Sequence, residues 1–292
     1  MFEALVDDPG VGLRWSACAV DAASGHVLAS REPDRVLATA SVGKVLLLVE
    51  LARRFADGRL ARHAPMERGT ETVADSGLWQ VMDASSLTAA DAALLVGAVS
   101  DNLATNVLLD AVGLHAVDRT GAEIGLAHTA LLDRVRDVRG PDHPPVLSRG
   151  SAVELASLVA RLDRGEVFGP AVSSEVVGWL SLGTDLSMAA AAFGLDPLAH
   201  RAPDRGLRLW NKTGTDAGVR ADVGVVRSGG TAIAYAVLAQ WEPDARDVAR
   251  DGVLAAMGAA GRGIRSVLAA AGEAEIRHDT SRAASGPAGP GL

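Results

Sequence analysis

The sequence predicts an α+β fold: a five-stranded antiparallel sheet with flanking helices, into which an all-helical lobe is inserted. Three observations predict it. The elements read in the order two strands, a block of helices, three strands and one helix. Past Asp204 the helical hydrophobic period gives way to strand runs. A sheet drawing strands from both chain ends is then the simplest way to bury every apolar face. This assigns residues 1–38 and 193–277 to a discontinuous α/β lobe, 39–192 to the helical lobe and 278–292 to a disordered tail. The length of 292 residues agrees, at roughly 150 residues per domain.

Leu13 to Asp21 alternates loosely, AASG reads as a turn, and His26 to Arg31 as the return strand. Thr39-Ala40-Ser41 precedes VGKVLLLVELARRF, a long apolar helix that stops near Gly58. Ser85 or Ser86 caps a second helix, LTAADAALLVGAV, which ends at SDN; ATNVLLDAV follows and is closed by Gly113. Leu131 to Pro145 is rich in proline, glycine and charge and reads as a loop. Ser151 to Leu162 and Glu175 to Ala192 read as helices. GLRLWNKTG, VRADVGVVRS and TAIAYAVLAQW read as three strands, the last two joined at Gly229-Gly230. A final helix runs from Asp244 to about Ala271, and TSRAASGPAGPGL reads as tail.

Composition narrows the function. Hydrophobic residues at 48% and charged residues at 22% exclude a disordered chain. A net charge of -8 argues against nucleic acid or an anionic membrane as partner. The apolar run Val45 to Val49 meets Glu50, far short of the roughly 18 residues that span a bilayer. MFEALVDDPGVG has no basic start before an apolar core, so a cytoplasmic location is expected unless a signal has been removed. Cys18 is the single cysteine, which excludes an internal disulfide. His63, His115, His128 and His143 lack metal-ligand spacing, so no metal or other cofactor is expected.

Of 28 basic residues only Lys44 and Lys212 are lysine. Arginine replaces lysine where a surface charge suffices, but not where the group must give up a proton. Both lysines lie in motifs. Ser41 and Lys44 form S-x-x-K at a helix start. A serine hydroxyl needs an adjacent base to become a nucleophile, and a lysine neutralised by burial can be that base. Alone, the pattern is more often a plain helix cap. Ser100-Asp101-Asn102 forms S-D-N between two helices: a hydroxyl that can relay a proton and an amide that can hold a carbonyl, or a simple helix break. Lys212-Thr213-Gly214 forms K-T-G at a strand end: a positive charge, a hydroxyl and room for close approach.

The three motifs in this order resemble those of class A β-lactamases and penicillin-binding proteins. The resemblance covers nearly the whole chain and implies the β-lactamase/transpeptidase-like fold. It implies Ser41 as the acylated nucleophile, Lys44 as its base or relay, and Ser100 as proton shuttle to the leaving nitrogen. Asn102 would hold the substrate amide, and Lys212 and Thr213 a substrate carboxylate. The N–H groups of Ser41 and Thr215 would form the oxyanion hole. Arg220, on the next strand, stands near where the family often has an arginine facing the carboxylate; a solvated strand arginine is the other reading. The implied partner is a small molecule, a β-lactam or related amide or ester, acted on by a monomer.

One departure matters. The family places its deacylating glutamate in a segment resembling L-D-R-W-E, and here that segment is Leu132-Asp133-Arg134-Val135-Arg136. Asp137, Asp142 or His143 are local substitutes. The expectation is therefore a serine hydrolase that acylates on Ser41 and deacylates weakly. The alternatives are a cytoplasmic esterase, amidase or acyltransferase, and a β-lactam-binding protein without turnover.

Overall fold

A computed structural model describes residues 1–284 other than 71 and 75, with side chains described outside 245–248 and 272–284. The hairpin β1 (Arg14–Asp21) and β2 (Val27–Arg31) is followed by a short β3 (Val36–Ala38), a 3₁₀ turn at Ala40–Gly43 and α1 (Lys44–Ala56). Next come β4 (Pro65–Glu67), β5 (Ser86–Thr88), α2 (Ala89–Val99), α3 (Asn102–Val112) and α4 (Leu114–Glu123). After β6 (Ala130–Leu131) and β7 (Ser148–Ser151) stand α5 (Ala152–Asp163) and α6 (Pro170–Leu180). A 3₁₀ turn at Ala189–Phe193 precedes β8 (Leu207–Asp216), β9 (Val219–Ser228), β10 (Thr231–Gln240) and α7 (Arg246–Ala284).

The main sheet runs β2-β1-β10-β9-β8, every neighbouring pair antiparallel. Both chain ends thus supply strands, as the element order predicts. Ser228 pairs with Thr231 around Gly229, whose φ of 55° suits glycine. The near-continuous apolar run of β10 follows from burial on both faces. Ala232, Ala234, Ala236 and Leu238 pack with the helical core, while Ile233, Tyr235, Val237 and Ala239 pack beneath α7. Helix α1 is buried at every residue from Lys44 to Ala52, and an all-round apolar helix is a core helix.

Helix α7 contains a segment, Ala249–Ala271, long and apolar enough by composition to cross a membrane, which the sequence reading did not register. Its stripe Val253, Met257, Ala260, Ile264 and Leu268 is buried against the sheet at helical spacing.

The structure amends several elements. Thr88, rather than Ser85 or Ser86, caps α2: its hydroxyl accepts from Asp91 N at 3.0 Å, because Ser86–Thr88 pairs with Pro65–Glu67 as a strand. The single helix expected over Glu175–Ala192 is broken after Leu180. There Thr184 N turns across to Ala98 O at 3.0 Å, and Asp185 Oδ1 takes Ser187 N at 3.1 Å, so the helical bonds end. Helix α4 and the small strands β3 to β7 were not anticipated. Helix α7 continues to Ala284 rather than stopping near Ala271, so 278–284 of the expected tail are helical; 285–292 lie outside the described residues.

Candidate active site

The site forms where the turn before α1, the α2–α3 junction and the edge strand β8 converge. Ser41 lies in the 3₁₀ turn and Lys44 opens α1. In 3₁₀ geometry positions three apart eclipse, so the S-x-x-K spacing puts both on one side. Ala40, just before Ser41, has φ 46°, and Ser100, at the C-terminus of α2, has φ 57°. A left-handed residue other than glycine costs of order 1–3 kcal/mol and persists only where its surroundings enforce it.

The strained Ser100 brings the two lysines together. Its Oγ accepts from Lys44 Nζ at 3.3 Å and from Lys212 Nζ at 3.0 Å. Lys44 Nζ also donates to Ser100 O and Asn102 Oδ1, each at 2.7 Å. Asp101 caps α3 through Ala104 N at 2.8 Å and holds Leu78 N and Trp79 N, so the middle residue of S-D-N is structural. Gly214 has a steric reason: a Cβ there would lie 2.1 Å from Thr39 O and 3.2 Å from Ser41 N. Glycine lets the backbone of β8 press against the turn that carries Ser41.

Ser41, Ser100, Lys212, Thr213 and Thr215 line one cleft, and Lys44 is fully buried beside it. Burial drives the Lys44 amine well below the ordinary lysine range, and the neighbouring Lys212 charge pushes the same way, against Asp101. Burial also lowers Lys212, to about 8, with Asp185 and Asp222 opposing. Two ammonium groups meeting one hydroxyl cannot both stay charged at little cost. Lys44 is the more strongly lowered of the two, and the carboxylate that opposes its shift, Asp101, is held by backbone N–H groups.

Two predicted residues stand differently. The Asn102 amide is engaged at both ends, by Lys44 and by Ala74 O at 2.9 Å, and does not line the cleft. Arg220 Nη1 donates to Val219 O at 2.7 Å and Asp216 O at 3.1 Å, beside the Trp241 ring, and is likewise not among the lining residues. Sequence reasoning missed Ser76, Thr184, Asp185 and Asn211, all on the cleft wall. It also missed the buried Asp222, which accepts from Asn211 Nδ2 and Ala190 N at 3.0 Å each, and whose burial raises it to about 6.

A family model described as the β-lactamase enzyme family matches residues 3–264. The chain belongs to that family. Among solved structures it is similar to a β-lactamase from Sphaerobacter thermophilus, with 22% identity, a TM-score of 0.75, and 89% of this chain and 93% of that one covered. An ancestral class A β-lactamase gives 24% identity, TM-score 0.73, and coverage of 89% and 96%. A structure of PBP-A gives 21%, 0.72, and coverage of 87% and 89%. No curated protein matches. These likenesses show the β-lactamase/transpeptidase-like fold, and family membership supports a hydrolase.

In this β-lactamase-family chain the segment Leu132–Arg136 is tied into a charge cluster. The Asp133 carboxylate takes Arg136 Nε at 2.8 Å and Arg139 Nη1 at 2.6 Å, with Arg134 N at 2.8 Å. Asp137 accepts from Ala74 N, and His143 Nδ1 from Gly140 N, each at 2.9 Å. None of Arg136, Asp137, Asp142 and His143 lines the Ser41 cleft.

Proposed function

We propose that the protein is a serine hydrolase that takes the acyl group of a β-lactam, or of a related amide or ester, onto Ser41 and releases it slowly. The observation that carries this reading is Lys44: a fully buried amine, held below the lysine range, on the same turn as Ser41 and bonded to Ser100. A neutral amine has two N–H groups and one lone pair. In that form the two bonds at 2.7 Å use both N–H groups, and at the 3.3 Å contact Ser100 Oγ donates to the lone pair, so the Ser41 proton reaches Lys44 in exchange for that weak bond or through Ser100 itself. Ser41 Oγ then attacks the carbonyl carbon. The N–H groups of Ser41 and Thr215 take the oxyanion, a role supported by the close approach at Gly214. The carbon–nitrogen or carbon–oxygen bond breaks, Ser100 gives its proton to the leaving atom, and Lys44 returns one to Ser100. Strand β8 is an edge of the sheet, open to pairing with an extended substrate. Slow release is supported by Arg136, bound to Asp133 within the segment that resembles the one where the family has its deacylating glutamate.

The test follows the opening of a penicillin in the ultraviolet beside the release of p-nitrophenol from a neutral ester. Product formation that is lost in Ser41→Ala supports the reading; equal rates in the variant contradict it. A penicillin adduct that never turns over, with no p-nitrophenol released beyond one equivalent, would mark a β-lactam-binding protein, and turnover of the ester alone an esterase.

The acylation rate should rise with pH as Lys44 loses its proton, on a limb well below the ordinary lysine value. It should fall again as Lys212 discharges near pH 8. In Lys212→Arg the alkaline fall should vanish, because arginine stays protonated. An unchanged profile in that variant would remove Lys212 from the reaction.

A further inference from the structure

Resting on the hydrolase reading above, a second feature of the cleft bears on its substrate. Lys212 and Thr213 share the cleft with a carboxylate of the chain itself, Asp185. Asp185 sits where α6 has ended and the chain crosses to α2 through Thr184 N. Its position is held by neighbours. Ser187 Oγ and N donate to Oδ1 at 2.6 Å and 3.1 Å, and Asp185 O accepts from Asn211 Nδ2 at 3.3 Å, beside the K-T-G motif. Partial burial works to raise the Asp185 acid, but hydrogen bonds from Ser187 and Thr213 and the Lys212 charge hold it below the usual aspartate value, so it is anionic at neutral pH. Lys212 Nζ is bonded to Ser100 Oγ and Thr213 O, so Asp185 acts on it through the field of the cleft.

The charge balance is then specific. The wall carries one ammonium, Lys212, and one carboxylate, Asp185, while Lys44 is held toward its neutral form. Arg220 is turned onto the carbonyls of Asp216 and Val219 and is not on the cleft wall, and Asp185 offsets part of the field its charge contributes there. An incoming carboxylate at Lys212–Thr213 meets a fixed negative charge.

We propose that Asp185 takes the electrostatic place of a substrate carboxylate, so that the cleft selects amides and esters whose group beside Lys212 and Thr213 is neutral or bears an ammonium. Asp185 is thereby a specificity-determining residue.

The experiment compares three forms of one acyl donor: benzylpenicillin, its methyl ester and its 2-aminoethyl ester. The second-order rate of Ser41 acylation is read by intact mass. The wild-type protein should react with the free carboxylate slowest, by about tenfold or more, the scale of one like charge a few ångströms away in a partly solvated cleft. Asp185→Asn should speed the free carboxylate by about the same factor, leave the methyl ester within about twofold, and slow the aminoethyl ester. Asp185→Glu should keep the wild-type order, which separates charge from loss of fold. A wild-type preference for the free carboxylate, or an equal change in all three rates in Asp185→Asn, would overturn the proposal while leaving the hydrolase reading intact. Absence of any Ser41 adduct with all three donors would sink this inference, and absence of Ser41-dependent p-nitrophenol release as well would sink the hydrolase reading with it.

Discussion

Replacing Lys44 by arginine is expected to abolish acylation of Ser41 almost as fully as replacing it by alanine. Arginine keeps a positive charge but cannot give up a proton in a protein. The role assigned to Lys44 is proton acceptance, and losing a general base costs about 10²–10⁴-fold. Burial makes the contrast sharper, because Lys44 is fully enclosed and its amine is held well below the ordinary range. A permanent guanidinium there would stand beside Lys212, with both bonded toward Ser100. The paired substitution Lys212→Arg should be milder, since charge and a donor are what that position supplies. The measurement is the rate of p-nitrophenol release from a neutral ester, with thermal unfolding to show that each variant folds. Near-normal acylation by folded Lys44→Arg would end the proton-relay role.

The second large effect lies in the other half of the reaction. Attack by Ser41 and hydrolysis of the acyl-enzyme are separate barriers, and each needs its own proton acceptor. In the reading proposed above, Arg136, bound to Asp133, stands where the segment resemblance places the second acceptor. Mixing enzyme with a neutral p-nitrophenyl ester should give a burst of p-nitrophenol equal to the enzyme concentration. A steady rate lower by about 10²–10⁴-fold should follow. Asp137→Asn, Asp142→Asn and His143→Ala should leave both phases unchanged, because none of these residues lines the cleft. Fast turnover without a burst, lost in one of these variants, would show a relocated base and a fully turning-over hydrolase.

What could be read from the sequence follows from the range of each interaction. The hairpins, the apolar α1 and the β8–β10 run depend on local period and turn chemistry, and they stand as expected. Lys44 and Lys212 stood out because arginine fills every other basic position. The break after Leu180 was not legible, because the bond that ends the helix runs from Thr184 to Ala98 in a distant element. Asp185 was missed for the same reason: it has no motif of its own and gains meaning only when the chain crosses to the K-T-G strand. The left-handed Ser100 looked like a helix break, which it is; that its hydroxyl lies between two lysines is a fact of tertiary structure. Asn102 reads in sequence as an amide that could hold a substrate, and the structure has Lys44 and Ala74 bonded at its two ends.

The central claim is that Ser41 carries the acyl group and that water removes it slowly. It is tested most directly by mixing the protein with a large excess of benzylpenicillin and its methyl ester in parallel, then taking intact and peptide mass spectra over time. The account predicts a shift of one intact acyl donor, located on the peptide containing Ser41, lasting minutes or longer and absent from Ser41→Ala. An adduct on another residue, or one that persists in Ser41→Ala, would contradict it.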